Sequence, residues 1–312
     1  MTGSEETPEY SEDDDDIEIL RQVLSVLKKA GYSDINAIGP VREDRVPVTV
    51  PFKPSGAAPL PDAVEVRLPS GKSVTLKLVV TRDERRPRLL GGPVPPPLQY
   101  SGPLMGGDPV WNDVATQWGT ISFAAPAGSG ITVEGMDCAG RILTCNHVLD
   151  FPRSATASTP HFPQSMYLKW NIVPPVGAKW IDLAGADIDA SVPYKALETR
   201  GLGAITGVRR SRKGDRVSKY GATTGLTSGR DLGWGWRATT SDPTPYLVKV
   251  VSGYFGAEGD SGAPVLDADR NLVGLVVSGI PGSIDETYFM QASRTPSGPL
   301  GLDRSRFVVS GF

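Results

Sequence analysis

The chain has 312 residues, with 36 glycines, 28 prolines and a formal net charge of −3. That length is too great for one small domain, and the glycine and proline content with few helical periodicities favours an all-β body over a helical one. The acidic start is the opposite of a signal-peptide n-region and no apolar run approaches a membrane span, so a cytoplasmic protein is expected, with neither membrane nor nucleic acid as partner.

Residues 1–16 hold eight acidic and no basic residues. They read as a solvated, disordered tail, and without them the remainder carries +5. Leu20, Val23, Leu24 and Leu27 then recur at helical spacing, which predicts one amphipathic helix from Asp16 to Ala30 with Lys28 and Lys29 in its last turn and Gly31 beyond it. Its apolar stripe needs a partner. Val64, Val66 and Leu68 alternate before a Pro69-Ser70-Gly71-Lys72 turn, and Val74, Leu76, Leu78 and Val80 alternate after it, so residues 17–82 are expected to form a small α+β accessory domain. Docking of a regulatory partner, or simple covering of a barrel edge, are its open roles. Residues 83–110 carry Arg85-Arg86-Pro87-Arg88 and Gly91-Gly92-Pro93-Val94-Pro95-Pro96-Pro97 and read as an extended interdomain linker.

The remaining 111–312 contain the chemistry. Ile121 to Phe123, Ile131 to Val133 and Ile142 to Cys145 are predicted strands, and the last of them ends at His147. A histidine at a strand end is well placed to act as a general base toward a group elsewhere. The other histidine, His161, stands in a proline-flanked loop and is expected to be solvated. Cys138 falls in a turn and Cys145 on the following strand, so free thiols are expected rather than a disulfide framework. With so few histidines and cysteines, neither a metal site nor a cofactor is expected.

Downstream, Ala186-Asp187-Ile188-Asp189-Ala190-Ser191-Val192 offers two carboxylates that could orient an imidazole. Strand alternation puts both on one side and does not choose between them. Gly259-Asp260-Ser261-Gly262 leads into the apolar run Ala263 to Leu266 and sets a serine on a tight turn before a buried strand. Glycines let such a turn aim backbone N–H groups at one point, where the oxygen formed after nucleophilic attack would carry its charge.

Taken together, Thr144-Cys145-Asn146-His147-Val148-Leu149, the aspartate stretch and Gly259-Asp260-Ser261-Gly262 resemble the trypsin-like (chymotrypsin-fold) serine peptidases. Lys219-Tyr220-Gly221-Ala222-Thr223-Thr224-Gly225 looks like a segment of a divergent intracellular branch of that family. The resemblance covers roughly residues 110 to 290. It implies a mainly β fold of two six-stranded antiparallel barrels beside the N-terminal α+β module, and a serine endopeptidase acting on protein or peptide substrates through an acyl-enzyme. The implied catalytic residues are His147, Asp189 and Ser261, with Asp189 preferred because the family has a small residue two positions after its aspartate, here Ser191. Gly259 and Ser261 are the implied oxyanion donors, and Phe255, Ser278 and Gly279 the implied substrate contacts. Phe255 at the pocket base implies a non-basic preferred residue. Members of the family commonly free an amino terminus that pairs with the aspartate before the nucleophile, here Asp260. Arg88-Leu89-Leu90-Gly91-Gly92 has the pattern of basic, two apolar, two Gly, so a cut after Arg88 is one possible source of that amine. The alternative to a peptidase is a catalytically inactive binding or scaffolding protein on the same fold.

Overall fold

The computed structural model of the chain describes residues 12–32, 34–51, 58–83, 88–89, 102–112, 117–133, 136–149, 156–158, 166–172, 182–237, 246–280 and 286–292. Helix α1 (Glu12–Lys29) opens it. Leu20, Val23 and Leu27 are wholly buried and Ile19 nearly so, whereas Leu24 is only partly covered. Each fully buried aliphatic side chain contributes about 1.5–3 kcal/mol. The helix stops at Gly31, whose φ of 88° lets the Tyr32 N–H return to the Leu27 carbonyl while the Gly31 N–H reaches that of Lys28. Against this helix lie β1 (Ala37–Ile38), β2 (Arg45–Val50), β3 (Ala63–Arg67) and β4 (Ser73–Arg82). The Leu68–Lys72 turn joins β3 to β4 as an antiparallel hairpin, and β4 runs parallel to β2. Val64, Val66, Leu76 and Leu78 face α1, while Val80 is exposed, so the alternation read from the sequence stops being buried before β4 ends. Of the acidic stretch 1–16, residues 12–16 belong to α1 instead of a disordered tail, and residues 1–11, most of the linker and His161 lie outside the described residues. Within the linker, β5 (Arg88–Leu89) is a short strand.

The middle of the chain contributes β6 (Leu104–Gly106), β7 (Pro109–Asn112), β8 (Gln117–Thr120), β9 (Phe123–Ala124), β10 (Thr132–Val133), β11 (Met136–Asp137), β12 (Arg141–Thr144), β13 (Thr156–Ser158), β14 (Met166–Ile172), β15 (Leu183–Ile188), β16 (Tyr194–Thr199) and β17 (Gly203–Ala204). Seven of them form an antiparallel sheet in the order β8-β7-β13-β14-β15-β12-β9. Its two end strands are separated in sequence only by Ile121 and Ser122, so the sheet curls until both edges lie on one bent segment. No ladder among the described residues joins those edges. Phe123, Ile142, Leu143 and Ala184 are buried in one apolar cluster around this sheet.

After β18 (Gly207–Val208) come β19 (Arg216–Gly221), β20 (Gly225–Arg237), β21 (Tyr246–Ser252), β22 (Pro264–Leu266), β23 (Asn271–Gly279) and β24 (Thr287–Gln291). The ring β19-β22-β23-β24-β21-β20 is antiparallel throughout and is closed by pairing of β20 with β19, which abolishes its edges. The fold is thus mainly β, with one closed six-stranded barrel and a curled sheet where a second barrel was expected. β20 is long enough to project beyond the ring, and there β1 pairs with Trp236 and Arg237. Trp234 packs into the α1 cluster, and the buried Arg237 guanidinium donates to the Ile38 and Gly39 carbonyls at 3.0 and 3.1 Å. The N-terminal unit therefore covers the free end of a barrel strand and spends the α1 stripe in doing so.

Candidate active site

The site lies where the curled sheet meets the barrel. Register explains half of it: β12 and β15 are antiparallel with Thr144 opposite Ala184, so the residues just after β12 fall beside those just before β15. His147 and Asp182 occupy those positions. The Asp182 carboxylate takes the His147 backbone N–H at 2.9 Å and, through its other oxygen, a very short contact from Nδ1. That fixes both the ring orientation and the tautomer, leaving Nε2 to face the other half of the molecule.

Ser261 comes from that other half, on the turn entering β22. Its Oγ lies 2.7 Å from His147 Nε2 and 3.1 Å from the Val277 carbonyl. Thr120 ties the two halves together. Its N–H donates to the Ser261 carbonyl at 2.7 Å, its hydroxyl donates to the Gly259 carbonyl at 2.7 Å, and its carbonyl accepts the Thr144 hydroxyl at 2.8 Å. Gly262 is required at this seam: with φ of 92°, a Cβ there would stand 2.2 Å from the Thr120 carbonyl oxygen. His147, Asp182 and Ser261 are all buried.

Within the turn, the Asp260 N–H goes to the Ala257 carbonyl and the Gly262 N–H to that of Val276. Among the described residues the amides of Gly259 and Ser261 find no acceptor. Gly259 holds φ of 95°, which an L side chain rarely adopts. The Asp260 carboxylate turns to β19 and the residues after it. It receives the Lys219 ammonium at 2.8 Å, the Thr224 hydroxyl at 2.7 Å and the backbone N–H groups of Thr223, Thr224 and Ala257 at 2.9 to 3.2 Å. Burial pushes the pKa of Lys219 down, and the Asp260 charge opposes that shift without reversing it. Gly221 belongs to the same arrangement, since a Cβ there would fall 2.2 Å from the Asp260 carboxylate.

The structure thus brings His147, Ser261 and Gly259 together, and leaves Asp189 out. Asp189 lies beyond the far end of β15, where its carboxylate accepts the Ser191 hydroxyl at 2.6 Å and the Ser191 N–H at 2.8 Å; these bonds hold its pKa low. Asp187 pairs with Arg141 at 2.7 Å. The aspartate on His147 is Asp182, which sequence reasoning passed over. A usable signal was present: Asp182-Leu183-Ala184 also puts a small residue two positions on, at the head of an apolar strand. Phe255 is likewise displaced from its expected role. It is wholly buried among Val217, Val251, Val265, Val273 and Phe289 inside the barrel, so it packs the core and does not line a cleft. Ser278 and Gly279 close β23 immediately beyond the Ser261 contact. The Lys219 stretch supplies the cation for Asp260.

Neither Cys138 nor Cys145, both buried, is in a disulfide. Ligand atoms of Cys145, His147 and Asp182 lie within 4.8 Å of one another, the spacing a metal ion would need. Burial, with the Asp182 charge adding to it, pushes the Cys145 thiol well up, and it donates to the Val276 carbonyl at 3.3 Å. A thiol held protonated is a poor metal ligand, and both imidazole nitrogens already have partners.

No protein-family model matches the chain, and no curated protein does. Solved structures do. A glutamic-acid-specific serine protease is 16% identical over 60% of this chain and 93% of its own, with a TM-score of 0.47. Chymotrypsin from Cellulomonas bogoriensis is 17% identical over 65% of this chain and 100% of its own, with a TM-score of 0.46. The Nocardiopsis protease is 17% identical over 64% and 99%, also with a TM-score of 0.46. No helix among the described residues is long and apolar enough to cross a membrane.

Proposed function

We propose that the protein is a serine endopeptidase in which Ser261 is the nucleophile, His147 the general base and Asp182 the carboxylate that orients it. The reading rests on one observation: an imidazole nitrogen 2.7 Å from a serine hydroxyl, with the opposite nitrogen held by a buried carboxylate. Ser261 Oγ would attack a peptide carbonyl while His147 Nε2 takes its proton, and Asp182 would stabilise the imidazolium so formed. The leaving amine would take that proton, and water would hydrolyse the ester by the same route. The amides of Gly259 and Ser261 would receive the developing oxyanion, a role in which one donor is worth roughly 100-fold to 1000-fold in rate. Substrates would be proteins or peptides.

A fluorophosphonate probe tests the assignment directly. Covalent labelling of the wild type that disappears in Ser261→Ala is the expected result. Labelling that persists in the variant would remove Ser261 from the nucleophile's role.

A further inference from the structure

Every peptide unit from Glu258 to Gly262 is tied to its surroundings at one end or both. In the unit joining Gly259 to Asp260, the carbonyl accepts the Thr120 hydroxyl at 2.7 Å and the N–H donates to the Ala257 carbonyl at 3.0 Å. In the unit joining Ser261 to Gly262, the carbonyl accepts the Thr120 N–H at 2.7 Å and the N–H donates to the Val276 carbonyl at 2.8 Å. The other two units leave their N–H groups, those of Gly259 and Ser261, without an acceptor among the described residues. These are the amides that the peptidase reading assigns to the oxyanion.

A peptide unit is planar and trans, so its N–H points opposite to its carbonyl, and whatever holds the carbonyl aims the amide. The Asp260 carbonyl takes the Ala263 N–H at 2.9 Å, so the Ser261 amide is aimed by main chain. The Glu258 carbonyl takes the Thr223 hydroxyl at 2.6 Å, and no backbone N–H among the described residues reaches it. The Gly259 amide is therefore aimed by a side chain. Gly259 stands at φ of 95° and, having no Cβ, accepts negative φ about as readily, so without that hydroxyl the unit is free to turn over. Thr223 is itself held, because its N–H donates at 2.9 Å to the Asp260 carboxylate, which also takes the Lys219 ammonium.

From these bonds we infer that Thr223 is a positioning residue for the reaction, its hydroxyl latching the Glu258–Gly259 peptide unit with the N–H toward the oxyanion. The inference rests on the peptidase reading above and deepens it. It joins the β19–β20 hairpin to the chemistry in three links: Lys219 fixes Asp260, Asp260 fixes Thr223, and Thr223 aims the Gly259 amide. Charge gathers on the oxyanion only as the new bond forms, so loss of the latch slows the bond-forming step and leaves binding before it unchanged.

The test uses full-length chains and a fluorophosphonate probe, whose phosphoryl oxygen enters the oxyanion position as Ser261 Oγ bonds to phosphorus and fluoride leaves. The limiting labelling rate and the half-saturating probe concentration are measured for the wild type, Thr223→Val, Thr223→Ala and Thr223→Ser, with urea unfolding of each. Val and Ala should lower the limiting rate by about 3- to 10-fold, the worth of one net hydrogen bond, with the half-saturating concentration unchanged. Ser, which keeps the hydroxyl, should restore the rate to within about twofold of wild type. Val and Ala variants that label at the wild-type rate, or a Ser variant as slow as they are, overturn the latch and leave the peptidase reading standing. A rate that falls only in step with stability across the three variants also overturns it, by assigning Thr223 to the fold. A wild type that does not label at Ser261 removes the peptidase reading, and the latch with it.

Discussion

The Lys219 ammonium donates to the Asp260 carboxylate at 2.8 Å, with both side chains wholly excluded from solvent. The pair joins β19 to the turn that carries Ser261, so the conformation of the residue before Ser261 is fixed from within the barrel. Removing the cation leaves a buried carboxylate with neutral donors only. Lys219→Met should therefore cost about 3–5 kcal/mol in urea unfolding and abolish probe labelling, and adding Asp260→Asn should restore part of the stability. If Lys219→Met alone unfolds as readily as wild type, the pair does not hold the turn.

Two aspartates separate cleanly by experiment. Asp182→Asn keeps the geometry but lets the imidazole adopt the wrong tautomer, for which a loss of about 10⁴-fold in turnover is expected. Asp189→Asn, at the surface with its carboxylate bonded to Ser191, should hydrolyse a protein substrate like wild type. Equal loss in both would refute the assignment of Asp182.

Gly259→Ala forces φ of 95° on a residue with a side chain and sets its Cβ 2.2 Å from the Thr223 hydroxyl. The turn should relax by rotating the Gly259 amide away from the attack position, with a fall of roughly 100-fold in kcat and little change in KM. A rise in KM alone would place this residue in ground-state binding.

The docking of the N-terminal unit is tested at Leu20, which is wholly buried in the α1 cluster that also takes in Trp234. Leu20→Ala should cost about 2–5 kcal/mol by the lost burial and the cavity left behind. Limited proteolysis should then cut within residues 12–83 before the barrel is touched. Simultaneous loss of both would show one cooperative unit.

Asp267 gives a pH prediction. Burial raises its pKa, but hydrogen bonds from Asn271 and Arg209 outweigh this, and the net shift is downward from 3.8. A depressed folded value means the charged form stabilises the fold above the unfolded value, and that contribution is lost as pH falls below about 4 through the folded value. Asp267→Asn should flatten the acid limb of a Tm-against-pH curve, and an unchanged limb would assign the acid sensitivity elsewhere.

Local chemistry carried a good deal of this protein. The α1 periodicity, its Gly31 stop, the β3–β4 hairpin and strand β12 are written in spacings of a few residues, because helix and strand periods and turn preferences act over that range, although β12 ends at Thr144 and His147 stands in the turn beyond it. The Gly259–Gly262 turn is legible for the same reason, since only glycine accepts those backbone angles without strain. What spacing cannot carry is which side chains meet across elements. Asp182, Asp187 and Asp189 differ little as sequence, and the β12–β15 register alone sets Asp182 on His147. Phe255, six residues before Ser261, could face a cleft or a core, and barrel closure put it inside. The partner of Asp260 lies 41 residues away on another strand, and β5 reaches β23 across nearly two hundred residues. Such contacts are fixed by sheet order and by the closing of the barrel, and no local pattern encodes either.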